Sequence, residues 1–165
     1  MYHPDKYKHH NNAESKFAAI FNDTSNESSM MINDKENFRE DGYIVYHKLD
    51  YKIMYDFEKR FTYYDSYNKF KFNTFGQFER KIKKPEIELS IQCSKKEDAF
   101  IIAWHEDFRK ENIVYINSKT RYGYERTGKR FTKRFIEISY SNMSIFHDII
   151  KRACEAKKLD YNSFF

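Results

Sequence analysis

Apolar positions along the chain change period as it is read from the start. Over 13–22, Phe17, Ile20 and Phe21 recur at helical spacing and predict a short amphipathic helix. The run 23–29, built of Asp, Thr, Ser, Asn and Glu, reads as a loop or frayed helix end. The charged stretch after it closes on Gly42, a residue suited to stopping a helix. From Tyr43 the pattern turns β-like: 43–46 and 51–55 are rich in β-branched and aromatic residues, with Leu49 and Asp50 as a turn between them. Further strands are expected over 87–91, 99–104, 113–116 and 134–139, with 69–72 a weaker candidate. The tail 141–158 sets Ile145, Ile149, Ile150 and Ala153 on one face and Lys151, Arg152, Lys157 and Lys158 mostly elsewhere, as in a helix that docks by an apolar stripe. This order predicts an α+β or α/β fold: a short N-terminal helical appendage, a central mixed β-sheet and a C-terminal amphipathic helix.

At 165 residues the chain suits one main core, large enough to need no metal or disulfide staple. Aromatics make up 19 % of it, against four Gly and two Pro, which excludes a disordered chain. Thirty Lys and Arg against 25 Asp and Glu give +5, a balance that suits nucleic acid or another acidic surface without requiring it. Two cysteines, Cys93 and Cys154, with no CxxC pair and no secretory leader, imply an intracellular, cytoplasmic protein with reduced thiols. No apolar run reaches the roughly 20 residues of a membrane span, so no membrane partner is expected.

The start of the chain carries Tyr2-His3-Pro4-Asp5-Lys6 and, after a short polar loop, Ala13-Glu14-Ser15-Lys16-Phe17-Ala18-Ala19-Ile20. This resembles the distal half of a DnaJ-type J-domain, whose His-Pro-Asp signature lies in the loop before a helix opening with such a pattern. The resemblance implies contact of His3, Pro4 and Asp5 with a heat-shock ATPase chaperone. It divides the chain into a J-domain-like remnant over 1–42 and an aromatic-rich main domain over 43–165. J-domains place two helices ahead of the signature, where only Met1 and Tyr2 stand here. A remnant that hardly stimulates the chaperone is therefore expected.

The main domain offers three candidate chemistries. Lys119, Arg121, Arg126, Lys129, Arg130, Lys133 and Arg134 face a single acid, Glu125, and interleave with Tyr122, Tyr124 and Phe131. Cations that neutralise phosphates beside rings that stack on bases suit nucleic acid, and a solvated hairpin turning at Gly123 and Gly128 is the alternative. Trp104-His105-Glu106-Asp107 sets three ionisable groups at the end of an apolar strand, either a ligand edge or an ordinary helix start. Finally, Asp50, Asp56, Glu88 and Gln92 come in an order similar to nucleases of the restriction-endonuclease-like fold, which place an acid on one strand and an acid-x-Lys pair on the next. That likeness implies Asp56 and Glu88 as ligands to Mg²⁺, with Gln92 in the place of the lysine. His47 and His147 read as satisfied structural histidines, and the two cysteines as buried filler.

Overall fold

The computed structural model describes residues 4–33, 41–60, 64–71, 75–109, 114–120, 123–130 and 135–156. Helix α1 (Pro4–Thr24) leads into strands β1 (Ser28–Ile32), β2 (Gly42–Tyr46) and β3 (Tyr51–Lys59), with one 3-10 turn, His47–Leu49, before β3. Then come β4 (Phe75–Phe78), the one-turn helix α2 (Glu79–Ile82), β5 (Leu89–Cys93), β6 (Ala99–Trp104) and α3 (His105–Arg109). Strands β7 (Val114–Thr120), β8 (Gly123–Arg130) and β9 (Ile136–Ser139) precede the last helix, α4 (Met143–Glu155). Six strands form a mixed sheet in the order β1-β2-β3-β5-β6-β9, and β4-β8-β7 form a second, antiparallel one. Within the large sheet β3 and β5 run parallel and the other neighbours antiparallel. The expected α+β class is met.

The large sheet is covered on both faces. Tyr55, Phe57, Leu89, Ile91 and Cys93 point into the main core with Phe17 and Phe21 of α1 and Phe146, Ile149 and Ile150 of α4. Ala99, Ile101 and Ala103 point the other way, into a smaller core with Phe75, Ile82 and Phe108. Double coverage explains why every residue of β5 and β6 is buried and why 99–104 reads as an unbroken apolar run. No described helix is long and apolar enough to cross a membrane.

Helix α1 is longer than the expected 13–22, and it packs into the main core. Phe17 meets the rings of Phe100 at 4.8 Å, Phe57 at 5.5 Å, Tyr140 at 5.7 Å and Phe146 at 6.0 Å between centroids. The described part of 1–42 shares one core with β2, β3, β5, β6, β9 and α4, and β1 shares their sheet. β1 itself begins inside the stretch read as a loop. Its Met30 exchanges two hydrogen bonds with the amide of Asn22: the Met30 N–H donates to Oδ1 at 2.7 Å, and Nδ2 donates to the Met30 carbonyl at 3.1 Å. A side chain thereby plays the part of a neighbouring strand on an open edge.

Gly42 is a strand residue. It opens β2, where an added Cβ would run into the Met31 carbonyl and the Tyr55 hydroxyl. Residues 34–40 lie outside the described chain. Residues 69–71 form no strand, and Gly128 sits within β8 opposite Gln77 and Tyr115, not at a turn. In α4 the buried stripe is Met143, Phe146, Ile149, Ile150, Ala153 and Cys154, while Ile145 is 43 % exposed. The free thiols Cys93 and Cys154 are buried, and burial pushes both up to about 12.

Removing the Phe17 ring should leave a hole that α1, α4 and the sheet cannot all close. Phe17→Ala is expected to lower unfolding stability by about 3–5 kcal/mol, whereas Ile145→Ala should stay within about 0.5 kcal/mol, both read from urea denaturation.

Candidate functional site

Parallel pairing of β3 with β5 puts Asp56 opposite Ser90 and Glu58 opposite Gln92. Alternation sends these four polar side chains away from α1 and α4, into the seam under the second sheet. Asp56 is the hub. Its Oδ2 accepts from Lys81 Nζ of α2 at 2.8 Å and from Gln77 Nε2 of β4 at 3.2 Å. Gln77 Nε2 also donates to Ser90 Oγ at 2.9 Å, and Ser90 Oγ lies 2.6 Å from Nε2 of His105. One step along, Arg60 Nε donates to Gln92 Oε1 at 2.9 Å, and Gln92 Nε2 donates to the Gly76 carbonyl at 3.2 Å.

Two more acids approach from the other side. Asp41 extends the β2 ladder by one residue, its N–H donating to the Tyr55 carbonyl at 3.1 Å. Its Oδ2 accepts the Phe57 N–H at 2.7 Å. Burial, and then the neighbouring Asp56 charge, push its carboxyl up to about 7, against the pull of the Phe57 N–H and Lys81. Glu14 of α1 accepts from the Tyr55 hydroxyl at 2.8 Å, and burial together with Asp41 raises its carboxyl to about 8. For Lys81, burial works against the ammonium, but Asp56 and Glu58 outweigh it and hold the group above its ordinary value. Burial pulls His105 down to about 4, so its ring is neutral at pH 7.

Asp41, the residue before β2, and Asp56 on β3 feel each other's charge, which disfavours ionising both together. A proton or a cation between them relieves that repulsion. Among the described residues no group of three or more His, Cys, Asp or Glu is placed to hold a metal ion. A metal here would rest on two carboxylates and take its remaining ligands from water and phosphate, a habit of Mg²⁺.

The residues expected from sequence fall unevenly around this hub. Asp56 is central, and Gln92 lies in the same seam but holds Arg60. Glu88 precedes β5, its N–H donating to the Met54 carbonyl at 3.0 Å, two register positions from the level of Asp56. Burial raises its carboxyl against the pull of the Met54 N–H and Arg109. Asp50 is exposed in a left-handed turn at φ 48°, before the start of β3 and well short of Asp56 along the chain. In the Trp104-His105-Glu106-Asp107 string His105 and Asp107 are buried and Glu106 is exposed. The basic segment forms the β7–β8 hairpin: Lys119 and Arg126 are exposed, with Arg126 Nε 3.2 Å from Glu79. Lys129 and Arg130 lie in β8, and Arg121, Lys133 and Arg134 are outside the described residues. His3 is likewise outside, and Pro4 and Asp5 are the first two residues of α1.

Sequence pattern alone does not single out Glu14, Asp41, Gln77, Lys81 or Ser90. One signal is present: Leu-Ser-Ile-Gln-Cys alternates apolar and polar residues in a strand that is buried throughout, so its polar face has to meet polar partners.

Glu14 is protonated in the fold and ionised in the unfolded chain between about pH 4.5 and 8, so the unfolded state binds fewer protons and stability falls as pH rises. Its contribution is complete below the lower value and lost through the upper one, at up to about 1.4 kcal/mol per pH unit. Glu14→Gln should flatten the fall in thermal midpoint between pH 5 and pH 8 and raise the midpoint at pH 8. A variant with the parent's slope would show that Glu14 does not carry the dependence. No protein-family model, no curated protein and no solved structure matches the chain.

Proposed function

We propose that this protein binds nucleic acid and hydrolyses its phosphodiester backbone with a divalent cation held by Asp41 and Asp56. The observation that carries the reading is the Lys81 ammonium 2.8 Å from Asp56, with the Asp41 carboxylate held on the N–H of the next residue, Phe57, at 2.7 Å. Of the expected acid and next-strand acid-x-Lys pair, other residues supply only the acids, and the lysine comes from elsewhere. Asp41 leads into β2, Asp56 lies on β3, and the lysine arrives from α2, while Glu58 occupies the position two residues after Asp56. A cation bound there neutralises phosphate charge and lowers the pKa of a coordinated water.

The chain's own groups do the rest. Side-chain exposure of 16 % at Lys81 and 9 % at Asp56 leaves the pair in touch with solvent at the edge of the seam. Lys81 is then the cation that meets a non-bridging phosphate oxygen. Around it Arg80 and Lys83 of the α2 region are exposed, and α2 packs on β8, which carries Arg126. These cations attract a polyanion through its backbone, without reading sequence.

Plasmid DNA incubated with the purified chain and Mg²⁺ or Mn²⁺ should be nicked, and EDTA or Asp56→Asn should stop the nicking. Lys81→Ala should slow it about 100-fold, with DNA retention still falling as salt rises. A chain that retains no DNA at low salt and cuts none with either metal would sink this reading.

A further inference from the structure

We infer that His105, Ser90 and Gln77 form a positioning chain that fixes the orientation of the Asp56 carboxylate for cation binding, an inference that rests on the nuclease reading. The direction of each hydrogen bond can be followed. Gln77 Oε1 accepts the N–H of Phe78 at 2.9 Å, which forbids the flipped amide, because a flipped NH₂ would face another donor. The amide nitrogen is therefore keyed toward Asp56 Oδ2 and Ser90 Oγ. Ser90, already accepting from Gln77, has its own hydrogen to give, and His105 Nε2 stands 2.6 Å away to take it. That places the ring proton on Nδ1, an atom with no hydrogen-bond partner among the described residues.

Every member is shut off from water: Ser90 and His105 are 0 % exposed and Gln77 1 %. Their surroundings, Ala99, Ile101, Ala103, Phe75 and Phe108, form an apolar core that would pack around apolar side chains equally well. An orphaned ring N–H at the far end is a cost to folding, which a chain serving only to pack the seam has no reason to carry. What it accomplishes is at the near end, where Asp56 Oδ2 is held between Gln77 and Lys81. Ligating carboxylates are oriented by such partners, whose loss weakens metal binding while the ligands stay in place.

The test uses the full chain and Mn²⁺ alone, with binding read by electron paramagnetic resonance and melting temperature measured on each metal-free variant. Ser90→Ala and His105→Leu should weaken Mn²⁺ binding about 10–100-fold in chains that still unfold in one cooperative melt, whose midpoint falls because buried partners are left unpaired. Ser90→Thr, which keeps the hydroxyl, should restore binding to near the parent's. If both variants fold and bind Mn²⁺ as tightly as the parent, the chain is packing and this inference fails while the nuclease reading stands. If Ser90→Thr binds as weakly as Ser90→Ala, the hydroxyl is not the connecting group and the inference also fails. If the parent itself binds no Mn²⁺, both fall together.

Discussion

The parallel pairing of β3 with β5 is the constraint from which the seam arises. Two parallel neighbours cannot be joined by a tight turn, so the chain must leave the sheet and cross over before β5 begins. The described part of that crossing packs into the smaller core on one face of the sheet and carries β4 and α2. Gln77 and Lys81 are thereby delivered above Asp56 and Ser90, which the same pairing has set side by side. An antiparallel β3–β5 pair would need no such excursion, and the polar row on these strands would have no partners.

With the crossing in place, the seam becomes a contest between burial and charge. Desolvation pushes Glu14 and Asp41 toward their neutral forms, while Lys81 stays charged because Asp56 and Glu58 outweigh its own burial. The acids come from α1, from the residue before β2 and from β3, elements whose other side chains build the main core. The same close packing that stabilises that core therefore holds the carboxylates at short range. Holding like charges together costs the fold stability, as it does wherever a rigid scaffold buries them side by side.

Much of the architecture could be read from the order of residues alone. The apolar run of β6, the β-branched pairs of β2 and β3 and the apolar face of α4 are local signals, and local signals survive without knowledge of the partner. β1 was hidden because its two leading serines look like loop, and it becomes a strand through β2 and the amide of Asn22. β4 offers only four residues, Phe-Gly-Gln-Phe, and is defined by β8, far along the chain. The site was half legible for the same reason. Asp56 and Gln92 sit on strands whose pattern is strong, whereas Asp41, Gln77 and Lys81 reach the seam through topology that no short window contains.

The packing of Phe17 against Phe146 joins two helices that lie far apart in the chain. Synthesis makes α1 well before α4, so Phe17 can meet Phe57 of β3 early but Phe146 of α4 only after most of the polypeptide has emerged. Folding is then governed by contacts of long sequence separation and is slow compared with a bundle of local hairpins. During that interval a sticky nascent helix must be kept from wrong partners. The fold closes late, like a clasp whose two halves lie at opposite ends of the band.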